Sequence, residues 1–274
     1  MFSNHAIEAD AEIMYSALNH LRAIGGNAVN VDCISASEFR LPKSSYDLVL
    51  TMAQAPAVLT EIEALETSGT IVMNSIGSIR NCYRKPLSER LSQHNFSYPQ
   101  YTFEKTDSFF NELPFESQDG YWIKRGDFHA VCDEDVVFVK DLIDMNERLH
   151  NFKSREIPFV VVQKNIPGAI VKFYGVRNNF FSHRFITPVE DKKINLEKIK
   201  MLAFEAAHVL GLDVFGGDCI VSQTGEIHFI DINDWPSFRT CNVEAGLAIA
   251  QLALSKCQAV EVLEASQCLM SEEI

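Results

Sequence analysis

One short stretch near the C-terminal end limits the fold of this chain more than any other. Residues 216–233 read GGDCIVSQTGEIHFIDIN, two apolar runs of strand length on either side of a Thr-Gly turn. This pattern predicts a β-hairpin. A turn centred on Thr224 and Gly225 fixes the cross-strand pairs, which are Ser222 with Ile227, Ile220 with Phe229, and Asp218 with Asp231. The predicted hairpin therefore brings two carboxylates face to face in a largely apolar sheet.

The polar residues of this hairpin share one face. Side chains alternate along a strand, so Asn233 projects beside Asp231, with Ile220 and Phe229 on the same face nearer the turn. The opposite face is expected to carry Cys219, Val221, Ile230 and Ile232. Opposed carboxylates in a poorly solvated place need a cation, and carboxylate and amide oxygens are ligands that Mg²⁺ accepts together with water and phosphates. The hairpin predicts a magnesium site for a nucleotide; alternatively, the aspartates lie solvated at strand ends and bind nothing.

Composition excludes several other functions. The formal charge of −13 over 274 residues argues against a nucleic-acid or anionic-membrane surface, because both need clustered lysine and arginine. The seven cysteines form no CxxC pair and are odd in number, so neither a disulfide framework nor a zinc site is expected. The sequence shows no apolar run of about 18 residues, so we expect neither a membrane span nor a signal peptide, and a cytoplasmic location. A homo-oligomer is left open.

Helical and strand patterns alternate along the chain, which predicts α/β and α+β layers. Residues 1–84 are expected to form a short Rossmann-like unit with strands over 28–31, 46–52 and 70–75. A helix comes first where such a unit normally opens with a strand, so either the first strand is absent or the chain starts late. Further strands are expected near residues 120–125, 136–139, 158–168 and 169–176, and helices near 140–152, 195–211 and 243–254.

Five segments together resemble the ATP-grasp superfamily, in particular the ATP-binding domain of glutathione synthetase and ligases of the D-alanine-D-alanine type. They are, in the order of that superfamily, TIVMNS, RNCYRKPLSERL, GYWIKRGD, VVVQKNIPG and the hairpin. The resemblance implies an α/β and α+β architecture in which the Rossmann-like unit precedes a two-lobed ATP-grasp domain over residues 85–274. The first lobe is expected over 85–165 and the second, with the metal-binding hairpin, over 166–274.

The resemblance also implies specific ligands of ATP and of Mg²⁺. ATP phosphates are expected to bind Lys85 and Lys124, and the adenine is expected to bind the backbone of Gln163, Lys164, Asn165 and Ile166. The metal, as two ions, is expected to bind Asp218, Asp231 and Asn233. The chain departs from the superfamily in two places. RGDFHAVCDED has one glycine where a glycine- and serine-rich phosphate loop is common, so Arg125 or His129 is expected to substitute, and Lys164 replaces the common hinge glutamate.

Basic residues mark the expected acceptor site. The segment IVKFYGVRNNFFSHR (170–184) predicts two strands joined by a turn, in which Arg184 and Ser182 share a face and His183 lies opposite. The resemblance implies catalytic roles beside the γ-phosphate for Arg184, Lys172 and Arg177, which favours either an anionic acceptor or charge that develops in the transition state. The alternative for these residues is an ordinary charged surface. Ser237, in DWPSF, is expected to line the acceptor pocket.

The activity implied by the resemblance is amide-bond formation. ATP would phosphorylate a small-molecule or peptide carboxylate to an acyl phosphate, and an amine would then displace phosphate. One alternative is a kinase that stops at phosphoryl transfer, because VKFYGV and DIND are also similar to segments of inositol-phosphate kinases. A regulatory module that binds nucleotide without turnover is a further alternative, and the intact set of metal ligands disfavours it.

Overall fold

The structure is a computed structural model that describes residues 4–36, 38–41, 46–127, 130, 132–187 and 194–271. Its helices are α1 (Asn4–Gly25), α2 (Pro56–Thr67), α3 (Ile76–Asn81), α4 (Arg84–Gln93), α5 (Leu142–Ser154), α6 (Leu196–Leu210) and α7 (Asn242–Ser271). Its strands are β1 (Leu48–Leu50), β2 (Ile71–Met73), β3 (Tyr101–Lys105), β4 (Tyr121–Arg125), β5 (Val136–Val139), β6 (Phe159–Lys164), β7 (Gly168–Val176), β8 (Phe180–Phe185), β9 (Val214–Ser222) and β10 (Ile227–Asp234). These strands form three separate sheets.

The first sheet contains β1 and β2, which run parallel, as expected for a small Rossmann-like unit. The helix between them, α2, buries Leu59, Ile62 and Leu65 against this sheet and α3. The prediction of a strand over residues 28–31 is wrong. Gly26–Ala28 is a short 3-10 turn, and although Val29 is extended, no described strand pairs with it.

The middle sheet has the antiparallel order β3-β6-β4-β5. Its interior strand β6 is the apolar run of the sequence, and both of its neighbours pair with it over five residues. Tyr121 and Ile123 of β4 pack with Met145, Leu149 and Phe152 of α5 to form the core on one face. Because the apolar residues of α5 recur at helical spacing, this helix covers one face of the sheet, and the other face is turned toward the rest of the molecule.

The last sheet has the antiparallel order β8-β7-β9-β10. Helix α6 covers one of its faces, and its buried residues recur at helical spacing, as the sequence predicts. The side chain of Asn195 accepts a hydrogen bond from the Lys198 N–H at the start of α6. Gly211, in the left-handed region, ends the helix.

Helices α1 and α7 pack along each other and bury residues of the last sheet, among them Tyr174 and Val214. The two helices approach closely, because a Cβ built on Gly246 of α7 would lie 2.2 Å from Ser16 Oγ. Helix α7 reaches Ser271 and is therefore longer than the 243–254 that the sequence indicates. Within the described ranges, no helix combines the length and apolar character that a membrane crossing requires.

Candidate functional site

The hairpin of the last sheet pairs Asp218 with Asp231, which confirms the prediction. Nearer the turn the predicted register is wrong by one residue: Ile227 pairs with Val221, and Phe229 pairs with Cys219. The difference arises from a β-bulge between Phe229 and Asp231, where Ile230 has no partner on β9. The extra residue restores the predicted register from the aspartates onward, through Asp234 paired with Phe215.

The bulge also changes which face some side chains occupy. Phe229 is buried with Cys219, Val221 and Ile232 under α6, although strict alternation placed it on the face of Asp218. One additional residue reverses the alternation, so Phe229 and Asp231 point to opposite faces although they are two residues apart. The face that carries Asp218 is therefore less apolar near the turn than the sequence suggests.

Four charged residues form one row across the last sheet. The strand register aligns Arg184 of β8 with Lys172 of β7, Lys172 with Asp218, and Asp218 with Asp231. Lys172 Nζ lies 3.0 Å from Asp218 Oδ2. At the other end of the row, Nη1 of Arg84 in α4 lies 2.9 Å from Asp231 Oδ1. Each carboxylate of the opposed pair thus has a cation of its own.

Burial controls the ionisation of this row. It raises the pKa of the Asp218 carboxyl, the adjacent Lys172 opposes that rise, and the charge of Asp231 adds to it. Repulsion between opposed carboxylates is what a divalent cation would relieve.

Lys124 reaches the same row from the middle sheet. Its side chain is 6% exposed, and its Nζ donates a hydrogen bond of 3.0 Å to the carbonyl of Ile230, the bulge residue. Burial, with a smaller contribution from the charge of Arg84 and against the opposing effect of Asp231 and Asp218, lowers the pKa of Lys124 to about 7. The charged groups of the two sheets therefore meet at one place, between β4 and β10.

Three successive rows cross this face of the last sheet at increasing distance from the start of β7. The first is apolar except for a histidine at its β10 end, the second is the charged row, and the third is polar. The first contains Ile186, Ile170, Ile220 and His228, and the third contains Ser182, Tyr174, Gly216 and Asn233. Rows two residues apart are separated by about 6.6 Å, so the face changes character over the length of a small elongated ligand.

Comparison with known proteins decides the fold. No protein-family model matches the chain, and no curated protein matches it either. Solved structures do match. The D-alanine-D-alanine ligase from Coxiella burnetii superposes with a TM-score of 0.63 at 12% identity, over 83% of this chain and 74% of the ligase. This chain has the ATP-grasp fold.

A second structure supports the same conclusion. The ATP-grasp ligase PsnB, complexed with minimal precursor, superposes with a TM-score of 0.60 at 15% identity, over 88% of this chain and 94% of PsnB. The α/β and α+β architecture predicted from the sequence is thereby confirmed.

The connection between the middle and last sheets of the ATP-grasp fold runs through the predicted adenine hinge. The amide of Lys164 donates to the carbonyl of Gln100, and the amide of Asn165 donates to that of Gly120. The Ile166 amide makes no hydrogen bond within the described part of the chain. The buried side chain of Gln163 is turned toward Tyr98, to whose phenol oxygen it donates a hydrogen bond. Of the three hinge amides, that of Ile166 is the one open to a ligand.

The remaining predicted residues lie at varied distances from the charged row. Asn233 is half-buried and belongs to the polar row, on the face of Asp231. Arg184 is exposed, and its side chain makes no hydrogen bond or ion pair with any described residue. Lys85 is 64% exposed, and its Nζ lies 3.9 Å from Glu89 Oε1 on the same helix. The structure therefore brings Asn233 and Arg184 to this face but does not bring Lys85 there.

Arg177 lies elsewhere. Its Nη1 is 3.2 Å from Asp213 Oδ1, and it lines a surface cavity of about 690 Å³ beside α6, together with residues such as Phe204 and His208. The structure thus separates Arg177 from Lys172. His183 lies on the face of β8 opposite Arg184, as alternation predicts.

The candidate substitutes for a phosphate loop do not join the row either. Arg125 forms ion pairs with Asp127 and the fully buried Asp135, to which Arg155 also binds. These contacts hold Arg125 in a structural network on β4. His129 lies outside the described residues. Ser237 is half-buried, three residues after Asp234 of β10.

Arg84 is the residue of this site that the sequence analysis missed. A usable signal exists in the sequence, because Leu87, Ser88 and Leu91 stand three, four and seven residues after Arg84. All four lie on the buried face of α4. The same spacing places Lys85 about 100° away, on the solvent side.

The donor set fits Mg²⁺, the metal that the ATP-grasp fold implies. Among the residues that the structure describes, no group of three or more His, Cys, Asp or Glu side chains is placed to hold a metal ion. The oxygen donors are the two opposed carboxylates and the amide of Asn233 on the same face. Mg²⁺ commonly takes one or two carboxylates and completes its shell with water and phosphate oxygens. Asp218, Asp231 and Asn233 therefore suit a metal that is shared with a nucleotide.

Proposed function

We propose that this protein is an ATP- and Mg²⁺-dependent carboxylate–amine ligase. The observation that carries the proposal is the opposed pair Asp218–Asp231, flanked by Lys172, Arg84 and Lys124 between two sheets of an ATP-grasp fold. Both similar structures are ligases by their titles, which supports the same reaction class.

The three rows of the last sheet give the bound nucleotide a direction. The adenine would lie by the hinge, at the open Ile166 amide and the apolar row, and the phosphates would lie over the charged row. The acceptor would then lie toward the polar row, near Ser182 and Asn233. Arg184, exposed at the end of the charged row, would hold the acceptor carboxylate.

In this arrangement an oxygen of the acceptor carboxylate attacks the γ-phosphorus, the bond to the bridging oxygen breaks, and ADP leaves. An amine then attacks the acyl carbon, inorganic phosphate leaves, and the amine loses a proton to solvent. Lys124 and Lys172 would offset the charge that develops on the phosphate oxygens. Asp218, Asp231 and Asn233 would hold Mg²⁺, which supplies Lewis-acid stabilisation of those oxygens. Positioning and charge therefore account for the catalysis, without an assigned general base.

A trapping experiment tests the reaction class. The full chain is incubated with ATP, Mg²⁺, hydroxylamine and pools of amino acids, peptides and polyols, and products are identified by mass spectrometry. We expect a hydroxamate that forms together with ADP, because hydroxylamine intercepts an acyl phosphate. The product is lost in Asp231→Asn and retained in the matched control Asp107→Asn, which alters an exposed aspartate.

The same experiment distinguishes a kinase. Phosphorylation of a hydroxyl group yields an ester that hydroxylamine does not cleave. A phosphoester without any hydroxamate would refute the proposed ligase reaction but would not contradict the nucleotide site.

A further inference from the structure

Arg84 is an unusual residue for a helix that borders solvent. It is 4% exposed, although the adjacent Lys85 is largely solvated. Its Nη1 binds Asp231 Oδ1 at 2.9 Å, but its Nε is buried and has no hydrogen-bond partner among the described residues. A buried donor without a partner destabilises the protein, and a ligand atom that accepts a hydrogen bond there would recover this loss.

The charges around Arg84 also favour an anion. Three cations, Arg84, Lys124 and Lys172, meet two carboxylates, Asp218 and Asp231, so the cluster carries one excess positive charge when all are ionised. Arg84 and Lys124 are both nearly buried and contact adjacent residues of β10, Asp231 and Ile230, so two positive charges lie close together. Anionic oxygens between them would relieve this repulsion and satisfy the open donor.

We propose that Arg84 is a phosphate-binding residue of the nucleotide site, in the role that the resemblance gave to Lys85. The inference rests on the proposed nucleotide site and adds a ligand to it. The guanidinium group has five donors in a planar fork, so it binds a carboxylate and a phosphate at the same time. Arg84 would thus connect the nucleotide to Asp231, and the adjacent lysine would serve only the solvent face of α4.

Binding measurements on the full chain test this role. ATP and adenosine are titrated calorimetrically into the wild type, Arg84→Met, Lys85→Met and Arg90→Met. The last variant is the matched control, because Arg90 is a further arginine of α4. We expect Arg84→Met to weaken ATP binding about tenfold to a hundredfold and adenosine binding less than about twofold, since a charged hydrogen bond is lost. Lys85→Met and Arg90→Met are expected to weaken ATP less than about threefold.

Arg84→Lys makes the test independent of folding. If Arg84→Met does not give a folded protein by circular dichroism, Arg84→Lys keeps the charge beside Asp231 but lacks the planar fork, and we expect a loss of about tenfold for ATP. Equal weakening of ATP and adenosine in a folded Arg84 variant would show a structural role and overturn the inference. A greater loss in Lys85→Met than in Arg84→Met would overturn it as well.

Failure of the proposed function would look different. If the wild type itself binds adenosine and ATP equally or binds neither, the nucleotide-phosphate site does not exist, and the proposed function fails together with this inference. If the wild type prefers ATP and only the Arg84 result is negative, the proposed function stands and this inference alone is refuted.

Discussion

Lys124→Met should stabilise the nucleotide-free protein and at the same time impair nucleotide binding. Methionine keeps the aliphatic stem of Lys124, a residue that is 6% exposed between the two sheets, and removes only its ammonium group. Burial, together with the charge of Arg84, lowers the pKa of that group from 10.5 to about 7. At about 1.4 kcal/mol per pH unit, the buried charge costs about 4–5 kcal/mol below neutral pH. The lost hydrogen bond to the Ile230 carbonyl offsets about 1 kcal/mol of the gain.

The stability difference should depend on pH in a defined direction. Folded Lys124 releases its proton near pH 7, whereas an unfolded lysine keeps it to about pH 10.4. Between these values the unfolded state binds more protons, so the wild type gains stability as pH rises. We expect Lys124→Met to exceed the wild type by about 3 kcal/mol at about pH 6.5, and the two proteins to converge toward about pH 10.

Urea denaturation across this pH range, followed by circular dichroism, measures the difference. Lys105→Met, which alters an exposed lysine of the same sheet, is the control and should follow the wild type. In calorimetry, Lys124→Met should bind ATP at least about tenfold more weakly but adenosine almost unchanged, because the phosphate partner is gone. Equal pH slopes of wild type and Lys124→Met between about pH 7 and about pH 9.5 would refute the assigned burial cost.

Two further substitutions act on the hairpin itself. Asp231→Asn should reduce Mg²⁺-dependent ATP turnover at least about a hundredfold, measured as ADP release, because it removes one of two metal-binding charges; unchanged turnover would contradict the metal site. Gly217→Ala should lower the free energy of unfolding by about 2 kcal/mol in urea titrations. A Cβ there would lie 2.4 Å from the Asp231 carbonyl oxygen and 2.6 Å from Phe173 Cζ. A fully stable Gly217→Ala protein would show that β10 can move away from β9.

The sequence predicts the central pairing of this site because two simple rules determine it. A short turn fixes the register of a hairpin, so the pairing of Asp218 with Asp231 follows directly. Strand alternation fixes the faces, so Arg184 and His183 are expected on opposite faces of β8. Helix α6 is equally predictable from the sequence, since Asn195 and Gly211 provide a recognisable start and end. Such features depend on neighbouring residues alone.

Features that depend on tertiary contacts were not predictable in the same way. The bulge at Ile230 has no glycine or other local signature, so the register near the turn was wrong by one residue. The choice of Arg84 over Lys85 is different, because the helical spacing of Leu87 and Leu91 from Arg84 already indicates which face of α4 is buried. The strand expected over residues 28–31 has suitable residues but no partner strand in the described structure.

The bulge affects how the middle and last sheets are held together. Because Ile230 has no partner on β9, its carbonyl can accept the hydrogen bond from Lys124 of the opposite sheet. One inserted residue thereby supplies a hydrogen bond between the middle and last sheets, in addition to the hydrogen bonds that Ser97, ahead of β3, makes with β10. Separation of the two sheets at this point must break the bond from Lys124, and an anion that draws Lys124 away would break it on entering.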